Sequence, residues 1–251
     1  MHGSRTSIIG SKSSKRAASA IAGENGFTLS ELLVALALTS VVACAIYQAM
    51  AAQQKIYIVQ DQVNEMIQNL RGTADMITRD IRMSGYDPQG TAGAGFDFAS
   101  SSSLQFKADL NGDGDFTDSS SPPDNDPNEQ VRYALTNDHD NNGIADEFPC
   151  SLGREAWSGN LQPAADDIEV LNFAYLDENG NVLPTPVSAD DLSKIRSIEI
   201  TLVARSEKRD KDYTSKTEIR NTRGTLVYTT PGDGYRRHAL SFTIQCRNMG
   251  R

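Results

Sequence analysis

The hydrophobic pattern of this 251-residue chain changes its period twice. From Leu32 to Ala52 there is no charged residue. As a helix, that run would be about 32 Å long at 1.5 Å per residue, enough to cross a bilayer core of roughly 30 Å. From Val59 the apolar positions become periodic: Val59, Val63, Met66, Ile67, Leu70, Ala74, Ile77 and Ile81. Steps of three and four make one stripe of an amphipathic helix. Its other face carries Gln60, Asp61, Asn64, Gln68, Arg71, Asp75, Arg79 and Arg82. "SGYDP" then supplies Gly85 and Pro88 as a stop. The pattern predicts one helix over residues 27–85, bare and apolar over 27–52, with one face packed on a domain thereafter. A coiled-coil stalk is the alternative, but the stripe is short for many heptads.

Beyond residue 90 the period falls to two. "HALSFTIQC" sets Leu240, Phe242, Ile244 and Cys246 on one face and Ser241, Thr243 and Gln245 on the other. "SIEITLVAR" places Ile198, Ile200, Leu202 and Ala204 inward, and "EQVRYAL" aligns Val131, Tyr133 and Leu135. "DIEVLNFAYLD" is apolar on both faces, as a central strand would be, and "DENG" (177–180) marks a turn after it. The predicted class is α+β: a long N-terminal helix packed on an antiparallel β-sheet of about four to six strands, with residues 86–251 as the β-rich domain.

Charge changes the picture in two places. The net charge is −9. Arg5, Lys12, Lys15 and Arg16 against Glu24 make residues 1–26 +3, leaving −12 for the rest. An acidic body does not suit binding to a nucleic-acid backbone. Residues 109–147 hold eleven acidic residues against the single Arg132, and such crowding repels itself unless neutralised. In "DLNGDGDFTD", Asp109, Asn111, Asp113 and Asp115 stand at positions 1, 3, 5 and 7 of a calcium-loop pattern, with Gly114 at position 6. "DHDNNGIADE" repeats it with Asp138, Asp140, Asn142, Gly143, the Ile144 carbonyl and Asp146. Oxygens at alternate positions let a tight loop wrap one hard cation, so Ca²⁺ is the expected ion. Neither loop has the bidentate glutamate at position 12, where Ser120 and Pro149 stand; Asp118 or Glu147, at position 10, would substitute. Without an ion the segment reads as a solvated acidic connection, as "DSSSPPDNDPN" is in part. His139 is expected to be an outward spacer.

Of the three cysteines, Cys44 lies in the apolar run, and no CxxC spacing occurs. If the body is exported, Cys150 and Cys246 are the natural disulfide; two buried free thiols are the alternative. Catalysis has little support. HExxH, GxSxG, phosphate-loop and dinucleotide fingerprints are missing from the sequence, and the carboxylate pairs Asp166–Asp167 and Asp190–Asp191 read as turns.

The basic stretch before the apolar run should stay cytoplasmic, with the body on the far side. Several processing fates compete: signal-peptide cleavage at Ala49-Met50-Ala51, lipidation of Cys44, an uncleaved anchor, or cleavage on the cytoplasmic side. Glu31 discriminates among them. A carboxylate at the edge of an apolar span is costly and is usually partnered and functional; the first three fates give it no role. "GFTLSELLVALA" closely resembles the type IV prepilin signature: Gly26 before the cut, Phe27 as new N-terminus, glutamate at the fifth mature position, then an apolar helix. Asn25 stands where lysine or arginine is common, and the 26-residue leader is long. The order of later features resembles PilW-type minor pilins and, more distantly, J-type minor pseudopilins of type II secretion.

That resemblance implies a type IV pilin-like fold and no enzymatic activity. It implies a leader over 1–26 removed by prepilin peptidase, methylation of the Phe27 amine, and pairing of Glu31 with that amine on a neighbouring subunit, setting axial register. Expected partners are other minor pilins, the major pilin and the inner-membrane assembly platform. The body would be periplasmic first and on an extracellular pilus after assembly. A secretion pseudopilin, a pilus-tip adhesin and a membrane-anchored calcium-binding surface module are the competing readings.

Overall fold

The computed structural model describes residues 26–116, 128–156, 159–214 and 216–250. The expected leader, apart from Gly26, and the candidate ligand Asp118 lie outside the described residues. The chain divides into two compact units, one up to Gln54 and one from Lys55 onward.

Helix α1 runs over Leu29–Met83, close to the expected 27–85. In the first unit its side chains are exposed all round, and the span is long and apolar enough to cross a membrane. In the second unit it shows one face. Met66, Leu70, Thr73, Ile77 and Ile81 are buried at helical spacing, and the four apolar ones join the core. Thr73 takes a place the pattern assigned to Ala74; its hydroxyl is satisfied by the Asn69 carbonyl at 2.7 Å. Past the helix, Gly85 at φ 74 turns the chain left-handed, a conformation glycine adopts without strain. A Cβ there would meet the Met249 sulfur at 2.6 Å.

The strands of the second unit divide between two main sheets and a small hairpin. Strands β1 (Phe96–Ala99), β2 (Leu104–Lys107), β3 (Gln130–Leu135), β4 (Ser151–Ala156) and β5 (Gln162–Asp166) form a five-stranded antiparallel meander. Strands β6 (Ile168–Leu176), β7 (Val182–Leu183), β8 (Ser197–Arg205) and β11 (Arg237–Gln245) form a four-stranded antiparallel sheet in the order β11-β8-β6-β7. A single turn of helix, α2 (Ala189–Leu192), precedes β8, and β9 (Glu218–Arg220) pairs with β10 (Leu226–Thr229). Inward residues of both sheets, among them Tyr133, Leu152, Phe173, Ile198 and Ile200, share one core with the α1 stripe.

Strands β3, β8 and β11 fall where alternation placed them, β6 falls on the segment that is apolar on both faces, and Gly180 at φ 77 completes the turn of "DENG". The outer face of β8 departs from expectation, because Glu199, Thr201 and Val203 are buried as deeply as the inward residues. The turn between β9 and β10 reaches Glu199, whose Oε1 accepts the Thr222 N–H at 2.6 Å, and the Thr201 hydroxyl bonds the Ser241 hydroxyl of β11 at 2.9 Å. Further along, Glu169 of β6 is buried against Arg237 of β11, whose guanidinium also binds Asp233. That ion pair holds the Asp233 carboxyl down at about 2.

The expected Cys150–Cys246 disulfide is not formed, and both are buried free thiols. The Cys150 carbonyl accepts the N–H of Ile168, at the start of β6. Cys246 N–H donates to Arg196 O, and Arg196 N–H donates to Leu176 O, at the end of β6. The two cysteines thus sit at opposite ends of a strand about 26 Å long at 3.3 Å per residue. A disulfide needs Cα atoms within about 7 Å. Each thiol has its own packing instead: Cys150 lies beside Thr136 Oγ1, and burial pushes the Cys246 thiol up to about 12.

Candidate functional site

Two features bear on function, and each lies within one unit. The first is the start of α1. Thr28 is its N-cap. The Thr28 hydroxyl oxygen accepts the Glu31 N–H at 3.2 Å, and Glu31 Oε2 accepts the Thr28 N–H at 2.9 Å and its O–H at 2.8 Å. This is a reciprocal capping box: two backbone N–H groups that a helix start leaves unpaired are satisfied by two side chains. The Thr-x-x-Glu spacing of "TLSE" carries that signal in the sequence. Both Thr28 bonds fall on Oε2, so Oε1 has no hydrogen bond among the described residues. Phe27 is 90% exposed, and among the described residues nothing lies within 4 Å of where a Cβ on Gly26 would be. Leu32, Leu36, Val41, Ile46 and Met50 are all more than half exposed, an apolar surface along the first half of α1.

The second feature is the pair of acidic loops. The first leaves β2 beside the end of α1. Lys107 pairs with Gln130 across the β2–β3 ladder, so the next pair outward is Ala108 with Glu129, joined by Ala108 N–H to Glu129 O at 2.9 Å. That register sets Glu129 next to Asp109, and both are almost fully buried. Asp109 accepts from Gly112 N–H at 2.6 Å and Gly114 N–H at 3.1 Å. Glu129 Oε1 accepts from Leu110 N–H at 2.6 Å and Asn111 N–H at 3.0 Å. Glu129 Oε2 is buried with no hydrogen-bond partner among the described residues. One carboxylate oxygen from each of Asp109, Asp113 and Glu129 lies within 4.8 Å of the others. Burial, with Asp109 and Asp113 adding repulsion, holds the Glu129 carboxyl above its ordinary range. Gly114 has φ 94, the sharp turn assigned to position 6. Asn111 turns inward on the loop itself, accepting from Asp113 N–H and donating to Asp113 Oδ2. Asp115 is not one of the clustered carboxylates.

The second loop brings Asp138, Asp140 and Asp146 together at a more exposed position. Asp138 accepts at both oxygens, from Asn142 N–H at 3.0 Å and Gly143 N–H at 2.8 Å. Asn142 Oδ1 accepts the Ile144 N–H at 2.7 Å. The loop is anchored on β6, where Gly143 O accepts Leu171 N–H and Ala145 N–H donates to Glu169 O. A Cβ on Gly143 would lie 2.3 Å from Leu171 O, so only glycine fits there. His139 is exposed but is not only an outward spacer: its backbone N–H donates to Asp146 Oδ2 at 2.7 Å, and its ring Nδ1 lies 3.4 Å from the same oxygen.

Glu129 is the site residue that sequence spacing missed. It lies twenty residues beyond Asp109, outside any single-loop template. The signal that could have found it is its place as the residue before the "QVRYAL" strand, at the far end of the same hairpin.

Comparison with known proteins gives two family matches. The model of prepilin peptidase-dependent protein B matches residues 60–221, and the prokaryotic N-terminal methylation motif matches residues 21–47. Among curated proteins none matches the chain. Among solved structures, a type IV-like pilin from Thermus thermophilus is similar at 14% identity and a TM-score of 0.44, over 73% of this chain and 98% of that one.

Proposed function

The chain belongs to the prepilin peptidase-dependent protein B family, and from that premise we propose that it is a minor pilin acting in the priming or tip complex of a type IV pilus. It is a prepilin-peptidase-dependent, type IV pilin-like protein whose long helix packs on antiparallel sheets. The apolar helix and the methylation motif point to membrane anchoring. The observation that carries the finer reading is the placement of Glu31. It is the fifth residue after Gly26, it opens an apolar helix exposed all round, and the capping box occupies only one of its oxygens.

In this reading, cleavage after Gly26 frees the Phe27 amine, which is then methylated. The free oxygen of Glu31 pairs with the amine of an adjacent subunit. Two charges that are each costly in an apolar medium become tolerable together, and the pairing sets how far one subunit sits along its neighbour. The exposed apolar helix exchanges lipid for neighbouring helices during assembly. The body acts through contact with other pilins rather than through catalysis.

The test is the N-terminus and intact mass of the protein taken from membranes, with Glu31→Val beside wild type. A chain beginning at Phe27 with one added methyl is expected for both proteins, with the variant absent from sheared pili. A start at Met1, Cys44 or Ala52 would overturn the processing, and normal incorporation of Glu31→Val would overturn the register role. Deleting the gene should abolish piliation; intact piliation with lost protein secretion would assign the chain to a secretion pseudopilus instead.

A further inference from the structure

The mark that separates the first acidic loop from an ordinary solvated one is Glu129 Oε2. Glu129 is 2% exposed and Asp109 0%, so water cannot neutralise them. Among the described residues no lysine or arginine forms an ion pair with either. Residues 117–127 contain no basic side chain either. A buried charge without a partner costs several kcal/mol, and an unpaired buried polar atom adds its own penalty. A proton on Oε2 would leave an O–H with no acceptor within hydrogen-bonding distance among the described residues. A cation meets both requirements at once.

We infer that Asp109, Asp113 and Glu129 form a Ca²⁺ site that ties the loop after β2 to the first residue before β3. The oxygens lie within 4.8 Å of one another, about twice a Ca–O bond of roughly 2.4 Å, so one ion can reach all three. The donor set is oxygen only, which disfavours zinc and copper. Irregular loop geometry and an acid from a distant position suit calcium, whose coordination is flexible, better than magnesium, which demands a near-ideal octahedron. The backbone N–H groups of Leu110 and Asn111 fill Glu129 Oε1, and those of Gly112 and Gly114 take one lone pair on each Asp109 oxygen, which leaves Glu129 Oε2 and a second lone pair on each Asp109 oxygen for the ion. The ion would brace more than its own loop. Asp109 N–H donates to Tyr86 O, and the Gln89 side chain donates to Gly112 O, so the segment just after α1 is fastened to the same loop. Among the described residues the cluster around Asp138 holds no buried carboxylate oxygen without a hydrogen bond, and nothing is assigned to it.

The test is calcium titration of the full-length protein in detergent, stripped with a chelator, followed by calorimetry and thermal melting. Wild type is expected to bind Ca²⁺ and to melt higher with it. Glu129→Gln should lose one bound ion, or weaken it about tenfold or more. With chelator present, Glu129→Gln should melt at or above wild type, because a buried charge has been removed; this keeps the test readable if Asp109→Asn fails to fold. Asp138→Asn should keep the ion. A wild-type melting curve identical in calcium and chelator would overturn the site. So would a titration unchanged in stoichiometry and affinity by Glu129→Gln.

Discussion

Leu36 and Leu70 belong to the same helix and meet opposite surroundings. Leu36 is 67% exposed in a segment that is apolar on every side, whereas Leu70 is 1% exposed on a segment with one apolar stripe. The difference is one of periodicity rather than of hydrophobicity. A stripe at steps of three and four records a partner from the same chain, since only one side of the helix faces it. An apolar surface all round records surroundings that come from outside the chain, whether lipid or other helices. One helix therefore carries two statements about its environment, and the border falls where charged residues reappear after Ala52.

The same substitution at both positions is the strongest way to break this comparison. Leu70→Ala removes buried methyl groups from the joint core and should destabilise the body by about 2–5 kcal/mol, with a matching fall in denaturant midpoint. Leu36→Ala should leave the body's unfolding within about 0.5 kcal/mol of wild type, while weakening association between chains in the membrane. Equal losses of stability from the two variants would mean that the first half of α1 is also held by this chain's own body.

A smaller effect is expected at the polar border of the stripe. Asp80 Oδ2 accepts from the Tyr133 hydroxyl and from Arg154 Nε, both at 2.7 Å, so α1 is latched to β3 and β4 by one carboxylate oxygen. Tyr133 is fully buried, while Arg154 keeps some access to water. Asp80→Ala would leave a buried hydroxyl and a partly buried guanidinium unpaired. A loss of about 2–3 kcal/mol is expected, below the cost of breaking a fully buried pair. Tyr133→Phe removes one hydroxyl and should cost about 1 kcal/mol. If urea denaturation found Tyr133→Phe as damaging as Asp80→Ala, the latch would rest on the tyrosine alone.

The contrast between local and non-local information also explains what the sequence could reveal. The helix, its stop at Gly85 and the alternation of β3, β8 and β11 are readable because period and turn chemistry act within a few residues. The same holds for the tight turns at Gly114 and Gly143. The split into two sheets, the β9–β10 turn over Glu199 and the partnership of Asp109 with Glu129 depend on strand register across long separations, which no local pattern encodes. The cysteines show the error this invites. Two cysteines alone in an exported body suggest a pair, yet β6 holds Cys150 and Cys246 at opposite ends. Glu31 shows the reverse: its Thr28 cap is local and legible in "TLSE", although a carboxylate at the edge of an apolar run points to a distant partner.

That cap provides the finest way to sharpen the comparison between the two halves of α1. Thr28→Ala deletes the hydroxyl that accepts the Glu31 N–H and donates to Glu31 Oε2, while leaving the glutamate in place. Losing a threonine cap costs a helix start about 1 kcal/mol. The bonds of this turn run between Thr28 and Glu31, three residues apart, so the penalty should remain local. Amide hydrogen exchange over residues 29–32 should quicken about fivefold, as 1 kcal/mol implies, with the body's melting unchanged. Exchange that stayed at the wild-type rate would mean that Glu31 is held by something other than Thr28. In an assembled filament that is the expected outcome if the amine of a neighbouring subunit has taken the carboxylate, so the same measurement on free and assembled protein separates the local role of Glu31 from its proposed intersubunit one.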